Sequence, residues 1–537
     1  MIFKNTFQLF KASIIFIGYY ILFRAIINYI FDILIPKIQN TEVKESTNKI
    51  YNFIFVKHSF IMPLIIILIC WLPYIIAYYP GNVWEDPAYQ LAQFYGLDIE
   101  ENSTANSNIL IDENVKITNH HPVLHTILMG LATKLGLAIG NTNIGIFIYT
   151  TFQISLLIIS FSCIINYTKK LKIPNWLKVM ALLIFAFLPI IPIMGMQLMK
   201  DAIFTALIII YIMMIYNFIK SNTKIKISTI IGIIILSILI CLFRNNGIYV
   251  IIMSLPFVAI VNKENRKSII FSTIIIIMVY KIITSILFPA LKITDTGIRE
   301  ALSIPFQQTA RYVKEHGNEV TEEEKKVIDN VLDYDTLTER YNPILSDPVK
   351  RDYNKAATNQ ELMEYFKIWF NQLVKHPGTY IQATMNNVYG YFYPQTNFRQ
   401  FLTNYMIDSY NYINRIEGFN YDYIQDFREI REAINALALI MQRIPVLSWL
   451  MNIAFNVWII LGILTYLLYS KKCKYIIYLM PFLTIILICI ASPVNAGYRY
   501  SMPFIFGMPL IVAIFIDIVK NEKNEMLLEK GNDSNEK

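Results

Sequence analysis

The chain has 537 residues, with 47 Lys and Arg against 39 Asp and Glu and a formal net charge of +8. Hydrophobic residues make up 55%, charged residues only 16%, and the mean hydropathy is +0.44. This composition excludes a string of soluble domains and reads as an all-α polytopic membrane protein. The basic excess comes with no basic–aromatic module, so nucleic acid is not expected as a partner.

In chain order, apolar runs cover residues 13–35, 59–79, 143–167, 179–195, 201–219, 227–243, 247–261, 268–289, 447–469, 475–491 and 502–519. Each is taken as a crossing of a hydrocarbon core about 30 Å thick, giving about eleven transmembrane helices. The first run carries Lys11 and Arg24; nothing before it has the form of a cleaved signal, so it is expected to be retained. Cys70, Cys163, Cys241 and Cys489 lie within apolar runs and Cys473 lies beside one. They are expected as packing residues without disulfides.

Basic residues mark four short connections: Lys169, Lys170, Lys172 and Lys178; Lys220, Lys224 and Lys226; Lys263, Arg266 and Lys267; Lys471, Lys472 and Lys474. By the positive-inside rule these loops face the cytoplasm, and they alternate correctly with the runs. The stretch from His121 to Gly140 would invert that alternation if it crossed, so it is expected to lie at the outer surface or to dip in part-way. The organisation that follows is a bundle at 1–289 with its first outer loop at 80–142, a mainly helical extracytoplasmic segment at 290–437, further spans at 438–519, and a disordered cytoplasmic tail at 520–537. The first outer loop is acidic, with Asp98, Glu100, Glu101, Asp112 and Glu113 against Lys116. The long segment has helical periodicity in ELMEYFKIWFNQLVKH and turn chemistry in YNPILSDP.

With this topology the unusual polar residues fall at outer helix ends. Glu85 and Asp86 follow an outward-going helix, and His120, His121 and His125 open the surface segment. Gln197, Lys200 and Asp201 lie in one outer turn, Arg244 and Asn245 in a second, and Arg499 and Tyr500 in the last. Charges at helix ends commonly anchor a span at the interface. Carboxylates and cations gathered in tight outer turns also suit a phosphate-bearing ligand and a group that gains or loses a proton. For the histidines, structural hydrogen bonding, substrate contact and metal ligation all remain open. No Walker A, GxGxxG or GxSxG motif is present.

An acidic residue in the first large outer loop, many spans, and a long segment before the last helices resemble the GT-C superfamily of membrane glycosyltransferases. More closely, PGNVWEDPAYQ, NHHPVLHT, QLMKDAIF, FRNNG, IPFQQTARYV, YNPILSDPVK and GYRYSMP resemble an uncharacterised family of multi-pass proteins from low-GC Gram-positive bacteria. The resemblance implies an enzyme of the cell membrane with its active site facing outside. Its donor would be a polyprenyl-phosphate sugar, and its acceptor a cell-envelope glycan or lipid-linked glycan. In such enzymes the first-loop acid acts as base or helps hold a metal, so a divalent cofactor stays open; Asp86 occupies that place with Glu85 beside it. Lys200, Arg244 and Arg499 would hold the lipid phosphate. In the mechanism expected from this, His121 or His125 would position the acceptor or share the base role, and Gln307, Gln308, Arg311 and Tyr341 would contact it. The chain departs from better-studied members in its extra first run and in placing the long segment before the last three spans. A polymerase or ligase of lipid-linked polysaccharide and a transporter or lipid flippase are the alternatives. The spans from about 143 to 289 carry little mid-membrane charge, as an enzyme working at the surface requires.

Overall fold

The computed structural model describes residues 6–43, 45–83, 85–97, 117–294, 298–396, 416–421 and 425–535. Asp98, Glu100, Glu101, Asp112, Glu113 and Lys116 lie outside the described residues. Among those described the chain is almost wholly helical, with a single two-stranded parallel sheet pairing Ile117 with Ile293 and Thr118 with Thr294.

Five stretches among the described residues are long and apolar enough to cross a membrane: Phe10–Asn40, Thr142–Lys170, Lys200–Lys220, Arg266–Ala290 and Tyr498–Asn521. Lys49–Lys57 and Ile61–Ala77 make a sixth if counted together, although the chain bends by 102° between them. The remaining runs form shorter apolar helices; Ile227–Phe243 is continuous, and others are shortened where the backbone is interrupted. Asn175–Phe187 ends before Pro189, which starts the short Ile190–Gly195 helix. The 247–261 run is split at Met253 and Ser254, with Pro256 in the first turn of its second half. The 447–469 run breaks at Asn452, whose side chain caps the next helix by accepting from the Phe455 amide. Apolar side chains nevertheless face outward at helical spacing, as at Ile227, Ile231 and Ile235, a periphery suited to lipid.

The bundle has two polar ends. At one, the buried Asp517 carboxylate accepts from the Lys172 amide at 2.7 Å, the Tyr216 hydroxyl at 2.7 Å and Lys220 Nζ at 2.8 Å. Asn265 binds the Ile225 amide and the Thr223 carbonyl there, and the Tyr216 ring meets Tyr475 and Tyr478. All four lysine-rich connections therefore gather at one end. The central helix Lys200–Lys220 has 21 residues, so its first residue lies about 30 Å from its last. Lys200 thus marks the opposite end of the bundle.

Val123–Ala138 is a 16-residue helix with Pro122 at its cap rather than in its first turn. It lies along Thr142–Tyr167 at very close range, since a Cβ on Gly136 would sit 2.7 Å from the Gly145 Cα. The inserted unit contains the helices Ser303–His316, Asn359–Lys375 and Pro377–Val388 around its own apolar core of Phe306, Ile328, Leu332, Leu337 and Tyr365. Capping boxes at Thr321/Glu324 and Thr358/Glu361 start two of its helices. The unit clamps the turn before Tyr498. The Ser346 amide donates to the Pro493 carbonyl and the Asn495 amide to the Ile344 carbonyl, while Asn387 reaches the Ser492 carbonyl.

The last helix is Met508–Asn535.

Candidate active site

Asp86 follows a short stretch of backbone pinned by hydrogen bonds at Asn82. The Asn82 amide donates to the Met196 carbonyl at 2.8 Å, and the Leu198 amide donates to the Asn82 carbonyl at 3.0 Å. From the Thr142–Tyr167 helix, buried Gln153 completes this bridge with both ends of its amide. Its Nε2 donates to the Gly195 and Gln197 carbonyls, and its Oε1 accepts from the Met199 amide. Gly81 adopts φ +126°, and a Cβ there would lie 2.3 Å from Thr150 Oγ1, so only glycine fits. The helix Glu85–Phe94 then begins beside the first turn of Lys200–Lys220.

Four segments remote in sequence meet at Asp86. Its Oδ2 accepts from Arg499 Nη1 at 2.6 Å and lies 3.9 Å from both Lys200 Nζ and His121 Nδ1. Lys200 Nζ is 2.9 Å from His121 Nδ1. Burial by itself would raise the Asp86 pKa; Arg499, with Lys200 behind it, overcomes it and holds the carboxyl well below its ordinary range. Burial, reinforced by Lys200, pushes His121 down, so it is neutral at pH 7. An ammonium can only donate, so Lys200 fixes Nδ1 as the acceptor and leaves the proton on Nε2. That Nε2 is buried with no hydrogen-bond partner among the described residues. Asp86, Lys200 and Arg499 line a small, partly open cleft with Gln90 and Asp201, and Leu198 and Met199 form its apolar wall.

A second tier supports the first. Arg244 Nη1 is paired with the fully buried Asp201 carboxylate. The Arg244 guanidinium lies 5.2 Å from the Phe204 ring and 5.0 Å from the Tyr500 ring; Arg499 lies 4.8 Å from that same Tyr500 ring and donates to its hydroxyl at 2.8 Å. One tyrosine thus separates and orients two guanidinium groups. Three cations against two carboxylates leave one net positive charge.

A family model matches residues 2–529. The chain belongs to the DUF6020 family, a family of unknown function. No curated protein and no solved structure matches it.

In this DUF6020 chain the other expected residues divide by position. Glu85 is exposed at the start of its helix. His120 stacks edge-on to His121 with ring centroids 4.5 Å apart, and Asn245 Nδ2 holds its loop through the Asn119 carbonyl at 2.7 Å. His125 is fully buried below the cleft against Gln90 at 3.1 Å, where burial pushes its pKa down to about 3. Gln197 contributes its backbone to the Asn82 bridge. Gln307, Gln308, Arg311 and Tyr341 are not at the cleft. Their partners, including Asn342, Thr384, Trp369 and Glu315, lie inside the inserted unit, which they brace.

Sequence reasoning missed Gln153 and also a second charge cluster formed by Glu300 and Lys350. Lys350 Nζ is buried and lies 2.7 Å from Glu300 Oε2 and 3.1 Å from Asp347. Burial lowers the His120 pKa, and Glu300 is the strongest influence raising it. For the second cluster the sequence signal was Asp347 and Lys350 inside YNPILSDPVK, which names no partner. Among the described residues the cleft suits a divalent ion poorly, because the Asp86 carboxylate near His121 already faces Arg499 and Lys200, whose charges would repel a second cation.

Proposed function

We propose that this protein is a membrane glycosyltransferase that moves a sugar from a polyprenyl-phosphate donor to a cell-envelope glycan or lipid-linked acceptor. The site would lie at the outer membrane boundary of a GT-C-like bundle of about eleven crossings. The observation that carries this reading is the meeting of Asp86, Lys200 and Arg499 in one small cleft, backed by His121, at the end of the bundle opposite the lysine-rich loops. A sugar phosphodiester brings one negative charge, and its leaving phosphate gains another as the glycosidic C–O bond breaks. A site with one surplus positive charge favours that developing charge over the ground state.

In the mechanism, the acceptor hydroxyl oxygen attacks the anomeric carbon while the bond from that carbon to the phosphate oxygen breaks, its electron pair leaving with the polyprenyl phosphate. The hydroxyl proton passes to Asp86, and the single displacement inverts configuration. Resting Asp86 is a weak base because Arg499 and Lys200 neutralise it. A donor phosphate that engages those cations removes the cause of its low pKa and raises its basicity on substrate binding.

Within Thr142–Lys170, Lys200–Lys220 and Tyr498–Asn521 the Asp, Lys and Arg residues lie near the ends, which favours surface chemistry over a transport path. The test is to incubate purified protein with a panel of polyprenyl-phosphate sugars and follow release of polyprenyl phosphate. Asp86→Asn should abolish turnover at unchanged membrane abundance. Turnover that survives the substitution removes Asp86 from the base role, and inertness across the panel with competent acceptors refutes the reaction class.

A further inference from the structure

The inserted unit carries a second cluster with no part in the chemistry above. His316 ends the Ser303–His316 helix, Glu319 follows in the 3-10 turn Gly317–Glu319, and His376 joins Asn359–Lys375 to Pro377–Val388. One ligand atom from each lies within 4.8 Å of the others. His376 Nε2 is 3.0 Å from Glu319 Oε2, His316 Nδ1 is 3.4 Å from Glu319 Oε1, and the two imidazoles stack at 3.7 Å with planes 13° apart.

The hydrogen bonding fixes which edge of His316 faces the carboxylate. Thr379 Oγ1 donates its one proton to Glu315 Oε2 at 3.1 Å, and Glu315 is itself held by Arg311 at 2.7 Å. Thr379 can therefore only accept from His316 Nε2 at 3.0 Å. A neutral His316 must then aim the Nδ1 lone pair at the Glu319 carboxylate, two acceptors with no donor between them. A positive charge on that line, either a second proton on His316 or a metal ion, relieves the contact. Thr379 and Glu315 supply the outer hydrogen bond that orients a metal-binding imidazole.

We propose that His316, Glu319 and His376 bind a divalent transition-metal ion of the zinc class, with water completing its coordination. Two imidazoles and one carboxylate are a common zinc ligand set. Lys375 Nζ lies 2.8 Å from Glu319 Oε2 and is the group the metal displaces. The ion ties together three helical elements of the unit, one of which leads through Asn387 and Gly390 to the turn before Arg499. Its role is to stiffen that support, and it stands independently of the reaction proposed above.

The test uses full-length protein purified in detergent without a polyhistidine tag, stripped with chelator and titrated with Co²⁺, then Zn²⁺. One Co²⁺ per chain should give a visible d–d absorption band that Zn²⁺ abolishes, and Zn²⁺ should raise the apparent Tm. His316→Ala and His376→Ala should each remove the band, while His58→Ala should keep it. Lys375→Met, which removes the competing cation, should tighten Zn²⁺ binding about tenfold. A band that survives in the double histidine variant, no band in the wild type, or an unchanged affinity in Lys375→Met overturns the proposal.

Discussion

Replacing Arg499 with Gln keeps most of its bulk and removes its charge, so the change isolates the ion pair with Asp86. The two groups are 2.6 Å apart, with side chains 20% and 24% exposed, and solvent screening is therefore modest. With an effective dielectric of 20, Arg499 at that distance contributes about 6 kcal/mol of attraction and Lys200 at 3.9 Å about 4 kcal/mol. Desolvation offsets much of this, and a charge-assisted hydrogen bond of this kind is worth about 1.5–3 kcal/mol net. A double-mutant cycle of Arg499→Gln with Asp86→Asn should thus show a coupling of about 2 kcal/mol in denaturant unfolding at pH 7. The pH dependence has a definite sign. The Asp86 pKa is lowered in the folded state, so its stabilisation is complete above the ordinary carboxylate value near pH 4. It is lost as pH falls through the lowered native value. The coupling should be flat from pH 8 to about 5 and shrink in stronger acid. Additive single effects, or a coupling that fades on the alkaline side, would refute the assignment of Arg499 as the partner of Asp86.

Gly81→Ala should destabilise by about 3 kcal/mol, because φ +126° is strained for an L-residue and the new methyl would overlap Thr150 Oγ1 and Leu198 Cδ1. A thermal scan should show partial recovery in a Gly81→Ala/Thr150→Ala variant; an unchanged Tm for the single change refutes the argument. Asp517→Asn removes a buried charge shared by three donors and should cost about 2 kcal/mol, discounted because the Lys220 side chain is 37% exposed and can turn to water. Denaturant unfolding at pH 7 checks it, and a loss below a few tenths of a kcal/mol would mean the lysine end is held by packing alone.

The sequence made the helices legible because long apolar runs have few other physical solutions, and lysine placement gave their alternation. What it hid was pairing. Nothing in QLMKDAIF says that Asp201 neutralises Arg244 while Lys200 turns to Asp86, although the residues are adjacent. Gln153 sits inside an apolar run and reads as a tolerated polar residue; its purpose depends on backbone carbonyls some forty positions away. Gln307 and Arg311 looked like surface contacts because polarity alone does not distinguish a buried, satisfied group from an exposed one. The broken runs were read as whole spans because a Pro or Asn inside apolar sequence can bend a helix or end it, and neighbours decide which.

Lys200–Lys220 and the closing helices from Tyr498 share fasteners at both extremities: Lys200 and Arg499 meet on Asp86 at one, while Tyr216 and Lys220 meet on Asp517 at the other. An axial slip of a single residue would be about 1.5 Å, enough to undo both sets together. The lysine-side carboxylate therefore acts as a gauge block, setting from the far side of the bundle how deep the Arg499 guanidinium stands in the cleft.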